Sequence, residues 1–256
     1  MMKTDEYYLP EGSYAARSEV QAALSSLDGL RRAQREHTIL EAPAQRCTAA
    51  HDLLFDFGFA QGIMPRSCCA LGVAEGDTRE IAILSRVGKP TCFSVSDIEE
   101  DTVPPTVWLS RTAVQQQAQD FLLETLLPGD VIPACVTHLE PFGAFVDIGC
   151  GIPSLIGIEN LSVSRIFHPG DRLSVGQQIF AAVRQVDAAN RRISLTHREL
   201  LGTWEQNAAL FSPGETVRGI VRSVEPYGVF IELAPNLSGL AEPRGDLTPG
   251  TVVSVY

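Results

Sequence analysis

Residues 128–149 read PGDVIPACVTHLEPFGAFVDIG, and residues 213–234 read PGETVRGIVRSVEPYGVFIELA. The two stretches align without a gap at an offset of 85. Pro128/Pro213, Gly129/Gly214, Val136/Val221, Glu140/Glu225, Pro141/Pro226, Gly143/Gly228 and Phe145/Phe230 are identical, and pairs such as Phe142/Tyr227 and Asp147/Glu232 are conservative. Chance does not produce such a match, so the chain carries a duplicated unit. A more diverged copy lies upstream. Leu53–Gly58 matches Ala144–Gly149, Gly62–Met64 matches Ser154–Ile156, Val87–Lys89 matches Val175–Gln177, and Leu109–Arg111 matches Leu195–His197, at offsets of 86 to 92.

Each unit reads as β. Ile132–Thr137, Ala144–Ile148, Ile179–Val186 and Arg192–Thr196 are rich in Val, Ile and Phe and alternate in part, with Gly, Pro, Asn and Asp clusters between them. About five short strands in about 70 residues predict a small closed barrel. Thr112–Leu127 and Arg198–Phe211 read as helices between units, either spacers or lids on the barrels, and Ser18–Gln34 reads as a further helix capped by Ser18. Residues 1–16 are expected to be mobile. The expected organisation is an N-terminal extension (1–35), a degenerate first repeat (36–111), a helical linker (112–127), a second repeat (128–197), a second linker (198–211) and a third repeat (212–256). Only 42 positions follow Gly214, against 66 from Gly129 to Leu195 in the middle copy, so we expect the last strand to be missing and the chain to break off inside a repeat.

Composition narrows the function. The 256 residues carry 20 basic and 31 acidic groups, a net charge of −11, and 45% hydrophobic residues, which suits folded globular domains. Residues 1–125 hold −7, residues 126–202 only −1 and residues 203–256 −3, so the middle third is the place least hostile to a polyanion. No run of about 18 uncharged apolar residues and no signal peptide are present, which points to the cytoplasm. The six cysteines (47, 68, 69, 92, 135, 150) lack zinc spacing and read as small buried apolar residues. No phosphate-binding loop, nucleophile elbow or metalloprotease motif occurs, and the five histidines (37, 51, 138, 168, 197) are scattered. We therefore expect no catalysis, no metal and no cofactor.

The run Gly143-Ala144-Phe145-Val146-Asp147-Ile148-Gly149, followed by Val175-Gly176-Gln177 and by Asp187 with Arg192-Ile193-Ser194-Leu195-Thr196, resembles the S1 RNA-binding domain, the repeat of the bacterial ribosomal protein of that name. The resemblance covers about residues 36–256 and fits a short relative with three tandem repeats. It implies mainly β architecture: tandem five-stranded OB-fold barrels joined by helical linkers, each able to hold single-stranded RNA on one face. Carried over by position, Phe142 and Phe145 are the base-stacking aromatics of the middle copy, and Asp187 and Arg192 complete its patch. The family's histidine position falls on Gly157. In the third copy the aromatics are Tyr227 and Phe230, with the histidine position near Glu242. In the first copy the aromatic positions fall on His51 and Leu54 and the histidine position on Pro65, so its stacking pair is lost. The partners implied are single-stranded mRNA and the small ribosomal subunit, with the chain a monomer away from membranes.

Physical chemistry points the same way. Flexible strands are held by aromatic platforms and by cations along the backbone. Candidate cations are Arg165, His168 and Arg172 in the SVSRIFHPGDR loop, then Arg191 and Arg192, and in the third copy Arg222, with Arg218 and Arg244 nearby. On a straight strand residues three apart face opposite sides, so Phe142 and Phe145 need the Pro-Phe-Gly turn or a bulge to share a face. The plain alternative for Phe145 is barrel core. The alternative for the whole chain is a protein-docking module, held on the ribosome or on a ribonuclease or transcription complex by its negative charge with little RNA contact.

Overall fold

Hydrophobic alternation sets the strands. Over Val131–Val136, residues Ile132, Ala134 and Val136 are buried while Val131, Pro133 and Cys135 are half-exposed, the two-residue period of a strand with one face in a core. A computed structural model describes residues 8–256 and is mainly β. Its elements run α1 (Ser18–Ala23), α2 (Leu27–Glu36), β1 (Leu40–Pro43), β2 (Arg46–Cys47), β3 (Leu53–Asp56), β4 (Gln61–Met64), α3 (Ile81–Leu84), β5 (Pro90–Glu99), β6 (Thr106–Ser110), α4 (Arg111–Thr125), β7 (Val131–Glu140), β8 (Gly143–Asp147), β9 (Pro153–Gly157), β10 (Gln178–Asp187), β11 (Arg192–Thr196), α5 (Trp204–Ala208), β12 (Val217–Glu225), β13 (Gly228–Ala234), β14 (Leu237–Ala241) and β15 (Val252–Val255). Backbone packing divides the chain into two units. One holds the residues up to Thr125 together with Asp147–Pro153, and the other holds Leu126–Val146 and Ser154–Tyr256.

The five strands β7 to β11 close into a barrel in the order β10-β11-β9-β8-β7. Antiparallel ladders join β10 to β7 and to β11, and a short parallel pairing of Leu155 and Ile156 with Ser194 and Leu195 closes it. Strand β9, which the sequence reading did not mark, is the strand that makes this closure possible. The first copy has the order β1-β5-β6-β4-β3-β2. Here β1 and β2 are two halves of one strand, bridged where Gln45 N–H donates to Leu54 O at 2.8 Å. The third copy forms a four-stranded sheet in the order β14-β13-β12-β15. Before the fourth strand of each copy stands a left-handed glycine: Gly88 (φ 75°), Gly176 (φ 86°) and Gly250 (φ 89°). Each donates its N–H back to the first strand, to Ala44 O, Val136 O and Val221 O respectively. A β-carbon would be strained in that conformation, which explains why these positions read as Gly.

Two helical expectations need correction. Ser18–Gln34 is two helices, broken at Leu24–Ser26; Ser26, not Ser18, caps the second, its hydroxyl accepting from Gly29 N–H. A β-carbon on Gly29 would lie 2.5 Å from Ala23 O, so the glycine lets the two helices meet at a tight corner. Arg198–Phe211 is a short 3-10 turn (Arg198–Leu201) followed by α5, interrupted by Gly202 at φ 83° and restarted by a Thr203–Gln206 capping box. Helix α4 is a lid, since Val114, Ala118 and Leu122 are buried and the helix packs on β5.

Residues 8–16 are not mobile as expected; residues 1–7 lie outside the described residues. Glu41, itself buried, accepts backbone N–H donations from Gly12, from Tyr14 at 2.9 Å and from Ala15 at 2.7 Å. Glu11 binds Arg111 Nε at 2.7 Å and Arg86 Nη1 at 2.5 Å. Burial alone would raise the Glu11 pKa, but the Arg111 and Arg86 charges outweigh it and hold the carboxyl below its ordinary value. The cysteines divide: Cys69, Cys92 and Cys150 are buried as expected, whereas Cys47, Cys68 and Cys135 are half-buried, and all six are free thiols.

Candidate nucleic-acid interface

The hairpin of β7 and β8 places two rings at the mouth of the middle barrel. Pro141 and Phe142 form its turn, so Phe142 escapes strand alternation altogether and stands 56% exposed. Phe145, half-buried on β8, points out of the barrel between buried Ala144 and Val146. The two ring centroids lie 5.9 Å apart at an interplanar angle of 87°. Thus the turn itself brings residues three apart onto one face. The Gly after each aromatic is a close-approach position. A β-carbon on Gly143 would lie 2.5 Å from Ile156 O, and one on Gly228 would lie 2.7 Å from Ala241 O.

The third copy repeats this corner. Tyr227 is 65% exposed, and its ring meets that of half-buried Phe230 at 6.3 Å and 87°. A bulge at Arg222 shifts the register of β12 against β13 between Val221 and Ser223. In the first copy no such pair forms. His51 lies at φ 65° with its Nδ1 3.2 Å from Glu80, and Leu54 is half-buried. Phe55 and Phe93 of that sheet are buried against each other, and half-buried Trp108 donates its Nε1–H to Glu99 at 2.9 Å.

The remaining candidates of the middle copy fall into two groups. Asp187 and Arg192 face each other across the β10–β11 ladder. Asp187 accepts from the Asn190 side chain at 2.8 Å and from Asn190 N–H at 3.0 Å, and these bonds hold its carboxyl below the ordinary aspartate value. Arg192 is exposed, and so is Arg191, at φ 52° in the turn that joins the two strands. Arg165 is exposed and stands over the Phe167 ring at 5.7 Å. His168 caps a 3-10 turn, its Nδ1 accepting from Gly170 N–H at 2.9 Å.

Arg172 and Arg222, two of the cations expected to meet RNA, are instead committed to one carboxylate. Arg172 Nη2 lies 2.5 Å from Glu232 Oε2, and Arg222 Nε lies 2.7 Å from the same oxygen. The three side chains are 8%, 13% and 6% exposed, so both guanidiniums are buried against that carboxylate instead of facing solvent. Asp171 adds a longer contact to Arg222 at 3.8 Å. Around them Ser162 Oγ donates to Pro235 O at 2.7 Å, and Asn236 joins Val163 N–H to the carbonyls of Arg198 and Gly202. The second and third copies are thus bonded to each other within one unit. Sequence spacing gave no sign of this, since the pairing partners lie 60 and 10 residues apart.

Asp147, conservative in the alignment with Glu232, takes a different part. It is buried and accepts from Glu11 N–H at 2.7 Å, Gly149 N–H at 2.8 Å and Gly151 N–H at 2.9 Å. Burial and the nearby Glu11 charge push its pKa up to about 7. It organises a turn and offers nothing to the outer face.

Residues 126–198 match the S1 RNA binding domain family. The chain is 35% identical over 173 residues to the small ribosomal subunit protein bS1 of Staphylococcus saprophyticus, a match covering 61% of this chain and 44% of that protein. It is 37% identical over 157 residues to the bS1 homolog of Bacillus subtilis, covering 59% of this chain and 41% of that one. The chain thus spans less than half the length of these relatives. Among solved structures it is similar to GSP13 from Bacillus subtilis, at 26% identity and a TM-score of 0.29, over 34% of this chain and 74% of that one.

Proposed function

We propose that the chain binds single-stranded RNA, as a non-catalytic protein, on the outer face of the middle barrel, with the third copy adding a second contact. The observation that carries this reading is the pairing of exposed Phe142 with half-buried Phe145 and its duplicate, exposed Tyr227 with half-buried Phe230, both set edge to face at 87°. Exposed aromatic faces are unfavourable in water, and two copies of one arrangement at one hairpin corner argue for a common use. A flat base stacked on such a ring contributes about 1–3 kcal/mol, largely independent of sequence. Arg192, exposed beside Asp187, supplies a cation for the backbone of the same strand, with Arg191 and Arg165 as further candidates. The relatives' identity as small-subunit ribosomal proteins supports a role in translation, on mRNA at the small ribosomal subunit in the cytoplasm.

Fluorescence anisotropy with a labelled oligo(U) 12-mer tests the reading on the full chain. Phe142→Ala and Arg192→Ala each weaken binding if it holds, and unchanged affinity in both removes it. A second reading, docking on a basic partner with little RNA contact, is favoured by the charge of −11. Sedimentation with small subunits before and after nuclease treatment separates the two. An RNA-dependent pellet supports the first reading and a nuclease-resistant one the second.

A further inference from the structure

We propose that His138 is a third base-contacting ring of the middle barrel; this rests on the RNA-binding reading above. The imidazole is 63% exposed on β7, and its ring lies 6.4 Å from the Phe145 ring at an interplanar angle of only 31°. Phe142 meets Phe145 edge-on, so the two neighbours of Phe145 do different things. Phe142 offers a face turned at right angles to it, whereas His138 offers a ring close to parallel with it. A base stacked beside Phe145 is thereby flanked by the imidazole, which adds a flat polarisable face and a ring nitrogen to it.

The ring is also held in place. Nε2 lies 2.7 Å from Glu140 Oε1, on the same side of the same strand, so the side chain is oriented before any ligand arrives. The equivalent position in the third copy is Ser223, which stands opposite Phe230 in the β12–β13 ladder and has no ring. The inference therefore sets the two copies apart: the middle corner has three rings and the third corner two.

The test measures oligo(U) affinity of the full chain by anisotropy for wild type, Phe142→Ala, His138→Ala and His138→Phe. His138→Ala is expected to weaken binding about five- to tenfold, and His138→Phe, which keeps a ring but loses the Glu140 bond, to restore most of it. A ring-current shift of an oligo(U) H6 proton in wild type that disappears in His138→Ala places the base at the imidazole. If His138→Ala binds as wild type while Phe142→Ala is weak, the inference fails and the RNA reading stands. If His138→Ala and His138→Phe are equally weak with the ring-current shift unchanged, the residue acts only by positioning Phe145 and the inference fails. If wild type itself does not bind, the RNA reading fails and takes this inference with it.

Discussion

Replacing Glu232 with Ala tests whether the second and third copies are joined by charge. The substitution leaves the guanidinium groups of Arg172 and Arg222, 8% and 13% exposed, without their common carboxylate. Two lone cations face each other where one anion stood, at 2.5 and 2.7 Å from each. Removing one partner of a buried ion pair costs about 3–5 kcal/mol, because the remaining charge stays desolvated and uncompensated. That converts to a roughly 150- to 4000-fold loss of hydrogen-exchange protection for amides that open only with this unit. The assay is exchange followed by mass spectrometry on fragments covering residues 217–234, with fragments from residues 40–56 of the other unit as control. Glu232→Gln is expected to fall between, since an amide oxygen still accepts but carries no charge. The triple replacement Arg172→Met, Arg222→Met, Glu232→Leu is expected to recover most of the protection, since apolar residues of similar volume often match a buried triad. A loss below tenfold in Glu232→Ala would refute the argument. It would mean that Asp171, 3.8 Å from Arg222, and water already neutralise both cations.

Three further outcomes are expected. Phe142→Ala should weaken oligo(U) binding by about 1–3 kcal/mol and Tyr227→Ala by a similar or smaller amount, each read by anisotropy; loss in neither variant would show the rings idle. Arg192→Ala should lower the slope of log affinity against log salt by about 0.7, the value for one single-strand phosphate contact, and an unchanged slope would take Arg192 off the backbone path. Asp147 should titrate near 7 in a carbon-13 carboxyl NMR titration. An unfolded chain releases that proton near 4, so between about pH 4 and 7 the native state binds the extra proton. This group's contribution to stability is then full below about pH 4 and is lost as pH rises to about 7, and a midpoint under 5 would contradict the burial argument.

The ungapped repeat at an offset of 85 was enough to read a mainly β chain of barrel-forming units, because strand alternation and turn glycines are local properties carried by neighbouring residues. The resemblance to the S1 domain marked Phe142, Phe145, Tyr227 and Phe230, and the Pro-aromatic-Gly turn accounts only for the exposure of Phe142 and Tyr227. Strand β9 escaped notice because Pro153–Gly157 is short and holds two glycine or proline residues. The helix breaks at Leu24–Ser26 and Gly202 were hidden by helical composition on either side. Only the tertiary structure decided which charges remain available. Arg172 and Arg192 are both candidate cations in the sequence, yet one is buried against a carboxylate 60 residues away and the other is exposed to solvent. Likewise Asp147 and Glu232 share a place in the repeat, but one anchors a turn against residue 11 and the other binds two arginines. Ion pairing depends on through-space distance and desolvation, which a folded chain sets across long sequence separations, and so no local pattern records it.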